Sequence, residues 1–168
     1  AQANPLAGQP APSLALSLLS GGKLNLAQHR GKHVVILDFW ASWCGPCRVL
    51  MPILEKLADE YKARGVVLYS VNVRETPERV RQFLKDEKLS ITVALDEHGK
   101  LAGMYRLEGF PTTVIIGKDG RVATMYVGVE PKMEERLRGA LEALLAPPPA
   151  AKDGRKPPAG SGNSGRKP

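Results

Sequence analysis

Both cysteines of the 168-residue chain lie within four positions, in the stretch Asp38-Phe39-Trp40-Ala41-Ser42-Trp43-Cys44-Gly45-Pro46-Cys47. Two thiols spaced in this way can close a disulfide on themselves or supply half of a zinc site. The apolar run Val34 to Phe39 reads as a buried strand, and the residues after Cys47 have helical spacing, so the Cys-Gly-Pro-Cys turn falls at a helix N-terminus. Unpaired N–H groups there favour an anion such as a thiolate, the species that attacks disulfides. A thiol whose ordinary pKa is about 8.5 would then be substantially ionised near neutral pH. Asp38 breaks the apolar strand, and a carboxylate in that place either faces solvent or is buried with a raised pKa. Glu75 follows the apolar run Val66 to Val73, at the strand end where open α/β sheets gather their functional groups.

The elements that must position these residues are legible in order. Leu14, Leu16 and Leu18 alternate with small residues, Ser20-Gly21-Gly22-Lys23 has turn chemistry, and Leu24-Asn25-Leu26 follows, which together predict a hairpin with one buried face. Near-continuous apolar character from His33 to Trp40 predicts a central strand covered on both sides. From Cys47, the positions Leu50, Ile53, Leu54, Leu57, Ala58 and Tyr61 mark one face of a long helix that Gly65 stops. A strand over Val66 to Val73, a helix opened by Thr76-Pro77 and a strand over Ile91 to Leu95 come next. A short helical turn covers Leu101 to Tyr105. Pro111 to Ile116 and Val122 to Val127 flank Asp119-Gly120 as a second hairpin, and Pro131 opens a last amphipathic helix.

Composition sets the frame around this body. The chain is long enough for one domain, and three spans are expected: a loosely held lead-in over residues 1–13, a domain over 14–146, and a basic Pro/Gly-rich tail over 147–168 that is too poor in apolar residues to fold. The net charge of +7 is unevenly spread, because Lys152, Arg155, Lys156, Arg166 and Lys167 in the tail face Asp153 alone. With no basic stripe on the body, no nucleic-acid partner is expected. No apolar run approaches the roughly 18 residues that cross a bilayer. The chain reads as soluble, with membrane contact expected only through an anchor upstream of Ala1.

At Phe39-Trp40-Ala41-Ser42-Trp43-Cys44-Gly45-Pro46-Cys47 the sequence resembles thioredoxin, and Phe110-Pro111-Thr112-Thr113 resembles its active-site proline loop. The likeness covers roughly Val34 to Leu145. The residues added between Val73 and Pro111, with the N-terminal hairpin, resemble the extracytoplasmic TlpA/ResA-like thiol-disulfide oxidoreductases, several of which serve cytochrome c maturation. The resemblance implies a thioredoxin-like three-layer α/β/α sandwich with an N-terminal β-hairpin and a central helix-strand insertion. It implies that Cys44 attacks a substrate disulfide and Cys47 resolves the mixed disulfide. It also implies that Asp38 is a buried acid serving Cys47 as proton acceptor, and that Glu75 matches an acid near the dithiol. Pro111 would follow a cis bond, and Trp43, Gly45, Pro46, Phe110, Pro111 and Thr112 would meet substrate. Gly45-Pro46 resembles the reducing thioredoxin pair. The expected setting is outside the cytoplasm, in a bacterial periplasm. The partners would be a disulfide-containing protein, apocytochrome c among the family's associations, and an upstream dithiol electron donor.

Two other chemistries use similar parts. Copper chaperones of related fold pair two cysteines with a distant histidine, but their cysteines are separated by three residues, and His29, His33 and His98 show no ligand spacing with the dithiol. A thiol peroxidase would need a threonine before its cysteine, which is missing. No cofactor and no metal are expected.

Overall fold

The structure is a computed structural model that describes residues 4–147; most of the expected tail, residues 148–168, lies outside the described residues. Seven strands form one sheet: β1 (Leu16–Leu18), β2 (Lys23–Leu24), β3 (Val34–Trp40), β4 (Val66–Val73), β5 (Val93–Asp96), β6 (Thr112–Ile116) and β7 (Val122–Val127). Their order is β2-β1-β5-β4-β3-β6-β7, with β3, β4 and β5 parallel and the other pairings antiparallel. All seven residues of β3 are buried, as a strand between two neighbours and two covered faces requires.

Four helices complete the layers: α1 (Gly45–Tyr61), α2 (Pro77–Glu87), α3 (Lys100–Met104) and α4 (Met133–Leu145). Side chains alternate across β3, so Val34, Ile36, Asp38 and Trp40 share one face and Val35, Leu37 and Phe39 the other. The first face packs against α1 and α4 through Leu50, Leu54, Leu57, Leu137 and Leu141, and against α2 through Val80 and Phe83. Right-handed β3-α1-β4 and β4-α2-β5 crossovers, advancing in one direction across the sheet, put both helices on that side. The second face is covered by Leu101 and Tyr105 around α3, together with Leu6, Leu16 and Leu24. This is the three-layer arrangement the resemblance implies, with α2, β5 and α3 as the central insertion.

Local chemistry explains the boundaries. Thr76 caps α2, its Oγ1 accepting from the Arg79 N–H at 3.1 Å, ahead of Pro77 in the first turn. Gly65 ends a short 3-10 turn after α1 with φ of +86°, a left-handed conformation that glycine adopts without a Cβ clash.

Several expected boundaries move. Leu26 leaves the hairpin for a 3-10 turn, Leu26–His29, capped by the Asn25 side chain. The strand expected over Ile91 to Leu95 runs from Val93 to Asp96, and Asp96 turns inward to accept from the N–H groups of Leu101 and Ala102 at the start of α3. Pro131 stands two residues ahead of α4 rather than opening it.

Part of the span expected to be a loosely held lead-in is tied down. Leu6 is buried, and Pro10 bridges to Arg121. Gly8 and Ala11 donate to the carbonyls of Val122 and Gly120, and Tyr105 Oη donates to Pro12 O at 2.7 Å. Leu6 supplies apolar area to a sheet face that α3 is too short to cover.

Candidate active site

The end of β3 delivers Cys44 as the N-cap of α1, and Cys44 and Cys47 are joined in a disulfide with Cα atoms 5.4 Å apart. The Cys47 N–H donates to Cys44 Sγ at 3.2 Å. That donor and the open first turn of α1 are what would stabilise a thiolate on Cys44 after reduction. Cys44 retains 5% exposure and Cys47 none, so Cys44 is the cysteine nearer solvent. Gly45 and Pro46 are exposed at the head of the helix.

Across the turn, the Phe110–Pro111 bond is cis, as the resemblance implies. Phe110 packs against the cluster that contains both cysteines, and its ring centroid lies 5.6 Å from that of Trp43. Trp43 is 68% exposed, which leaves a large apolar face free beside the dithiol. Thr112 departs from its expected place in the substrate surface. It is fully buried, and its hydroxyl donates to Gly109 O at 2.7 Å, which braces the proline loop from inside. Register explains this, because Thr112 lies opposite Phe39 and therefore points to the same inner face.

The two acids have opposite surroundings. Asp38 is 1% exposed, and burial alone pushes its carboxyl up to about 7. It shares its sheet face with Trp40, which packs with Cys44, Cys47 and Met51, so the acid lies beneath the first turns of α1. Glu75 is half-buried and fully engaged. Burial pushes its carboxyl up, but hydrogen bonds from Asn72 and Ser42, with the nearby Arg79 charge, outweigh that and hold it below the usual range. Its Oε1 accepts from Ser42 N and from Asn72 Nδ2, both at 2.8 Å, and its Oε2 from Ser42 Oγ at 2.6 Å.

Ser42, Asn72 and Arg79 are members of this site that motif reading missed. Arg79 Nε donates to Ser42 Oγ at 2.9 Å, and Arg48 Nη2 donates to Ser42 O at 3.3 Å. Three groups, from the loop after β4, α1 and α2, thus hold the residue two places before Cys44, and Asn72 on β4 braces Glu75 in turn. The available signal was polarity out of place: Asn72 sits in an apolar strand and Ser42 between Ala41 and Trp43, both buried.

His29 and His33 lie at the opposite end of β3 from the dithiol. His29 and His33 pair through their Nδ1 atoms at 2.9 Å, and His29 Nε2 meets Tyr69 Oη at 2.8 Å, near the start of β3. His98 is exposed after β5. Among the described residues, no three His, Cys, Asp or Glu side chains come together as a metal site, and no helix is long and apolar enough to cross a membrane.

A Cys-x-x-Cys pair at the head of a helix, facing a cis-proline loop on this sheet, defines the class as a thioredoxin-like thiol-disulfide oxidoreductase acting on disulfide-containing proteins. Comparison with known proteins agrees with that class. The chain belongs to the Redoxin family, which it matches over residues 6–141. It is 36% identical over 137 residues to the thiol-disulfide oxidoreductase ResA of Bacillus cereus, covering 82% of this chain and 78% of the relative. It is 37% identical over 134 residues to the thioredoxin-like protein YneN of Bacillus subtilis, covering 77% and 78%. A solved structure from Chlorobium tepidum, described provisionally as thiol:disulfide interchange protein DsbE, superposes with a TM-score of 0.78 at 36% identity, over 83% of this chain and 98% of that one.

Proposed function

We propose that the protein is a reductant of disulfides in other proteins outside the cytoplasm. The observation that carries the assignment of roles is the unequal exposure of the two cysteines at the head of α1. The Cys44 thiolate attacks a substrate disulfide and one substrate sulfur leaves as a thiolate, which solvent protonates. Cys47 then gives its proton to Asp38 and attacks Cys44 Sγ; the enzyme disulfide forms as the mixed disulfide breaks, the second substrate sulfur leaves as a thiolate that solvent protonates, and Asp38 returns its proton to solvent. An upstream dithiol returns two electrons and two protons.

Asp38 suits the acceptor role because a carboxyl with a pKa near 7 exchanges protons readily at working pH. Glu75, expected among the catalytic acids, is better read as the anchor of Ser42, since its oxygens are already engaged by firm donors. Trp43, Phe110 and the exposed Gly45-Pro46 edge form the surface on which a polypeptide lies, with Pro111 beside it. The Gly45-Pro46 pair supports the reducing direction. The bacterial periplasm as the setting, and apocytochrome c as the substrate, rest on the resemblance to ResA-like proteins and extend the same reading.

The test is covalent capture. Cys47→Ser should retain a disulfide-bonded peptide containing Cys-x-x-Cys-His as a mixed disulfide on Cys44, whereas Cys44→Ser should retain none. Capture by Cys44→Ser alone would reverse the roles, and a reduction potential above that of the peptide would overturn the reducing direction.

A further inference from the structure

Beneath the dithiol, three polar atoms lie side by side without use. Asp38 Oδ1, Ser70 Oγ and Thr113 Oγ1 are each buried without a hydrogen-bond partner among the described residues. Ser70 and Thr113 are both 0% exposed. Such atoms are rare in folded proteins because desolvation without a partner is unfavourable, so three together call for a common cause. The register provides one: Asp38 is paired with Ser70 on β4 and with Thr113 on β6. Registered residues share a face, and neighbouring strands lie about 4.7–4.9 Å apart, so Ser70 and Thr113 stand on the two sides of Asp38.

We propose that Ser70 and Thr113 are positioning residues that hold the ionised carboxylate of Asp38, each donating its hydroxyl proton to it from a neighbouring strand. The row distinguishes two protonation states. A carboxylate accepts from both hydroxyls, while a carboxylic acid carries its own proton and needs fewer donors. Among the described residues, no charged side chain acts on Asp38. On this face α1 brings Cys47, Leu50, Met51 and Leu54, α2 brings Val80 and Phe83, and the next residues along the row are Val93 on β5 and Tyr126 on β7. Burial favours the acid and the hydroxyls favour the anion, so the pair of hydroxyls determines how readily Asp38 takes up and releases the Cys47 proton. This rests on the proposed acceptor role of Asp38 only for its catalytic meaning; the hydrogen bonds themselves are independent of it.

The oxidised protein is the right sample, because its cysteines do not titrate. The Asp38 carboxyl is followed by isotope-edited infrared or carbon NMR spectroscopy against pH, with Asp38→Asn to assign the signal. Ser70→Ala and Thr113→Val should each raise the Asp38 pKa by about one unit, a tenfold change in proton affinity, with a larger rise in the double variant. Ser70→Thr and Thr113→Ser, which keep a hydroxyl, should restore it. Thr113→Val removes an unpartnered hydroxyl at nearly constant volume, so it should fold, and near-UV circular dichroism checks that it does. An unchanged carboxyl titration in folded Ser70→Ala and Thr113→Val would overturn the proposal. A shifted titration with an unshifted pH profile of disulfide reduction would uphold the hydroxyl contacts and remove Asp38 from the acceptor role instead.

Discussion

Replacing Asp38 by Asn should make the oxidised protein more stable at pH 8 and leave it almost unchanged at pH 3.5, apart from a constant offset. An Asp carboxyl titrates at 3.8 when exposed, and burial brings it to about 7 in the folded chain. Because the folded-state value is raised, the native protein binds the proton more tightly than the unfolded chain does. The benefit of this is complete below pH 3.8 and disappears as pH rises to about 7. Over that window wild-type stability should fall by about 1.4 kcal/mol per pH unit, about 4 kcal/mol in all. Any hydrogen bonds to the ionised carboxylate reduce that figure, which makes it an upper bound. The amide does not titrate, so Asp38→Asn should lack this slope. Urea unfolding of both oxidised proteins from pH 3.5 to 8 measures the difference. The pH-independent part reports how the amide packs, and the pH-dependent part reports the carboxyl. A stability difference that stays flat across the window would refute the assignment of Asp38 as a buried acid with a raised pKa.

Three further outcomes are expected. Glu75→Gln should lower stability by about 1–3 kcal/mol in chemical denaturation, since it weakens the acceptor that Ser42 and Asn72 share. Trp43→Ala, at a residue 68% exposed, should change stability by no more than about 0.5 kcal/mol and lower kcat/KM for a protein disulfide about tenfold, with reduction of a small-molecule disulfide unaffected. Leu6→Ala should cost about 2 kcal/mol in a melting or urea experiment, because Leu6 belongs to the core beneath α3; a change within error would show that the N-terminal segment does not contribute to folding.

Local signals carried far in this chain. Thr76-Pro77, the apolar spacing after Cys47 and Asp119-Gly120 announce their elements through contacts a few residues apart, and those elements stand where expected. Pro111 and the dithiol were readable because the whole pattern resembles a familiar one. What stayed hidden depends on pairings across the sheet. Ser42 meets Glu75 across 33 positions, and Asp38 meets Ser70 and Thr113 only once β3, β4 and β6 are in register. Thr112 and Thr113 look equivalent as neighbours, yet strand alternation sends them to opposite faces, one to brace the proline loop and one toward Asp38. The N-terminal segment was misread for a related reason: its sparse apolar residues have no periodicity, and Leu6 gains its value from a gap left by a five-residue helix.

The contact between Arg79 and Ser42 means that the dithiol is not governed by its own four residues alone. Arg79 lies in the first turn of α2, whose outer surface is free of the sheet, and its guanidinium ends on the hydroxyl two residues before Cys44. A substitution at Arg79 would therefore alter the surroundings of Ser42, two residues before Cys44, with no change between the cysteines.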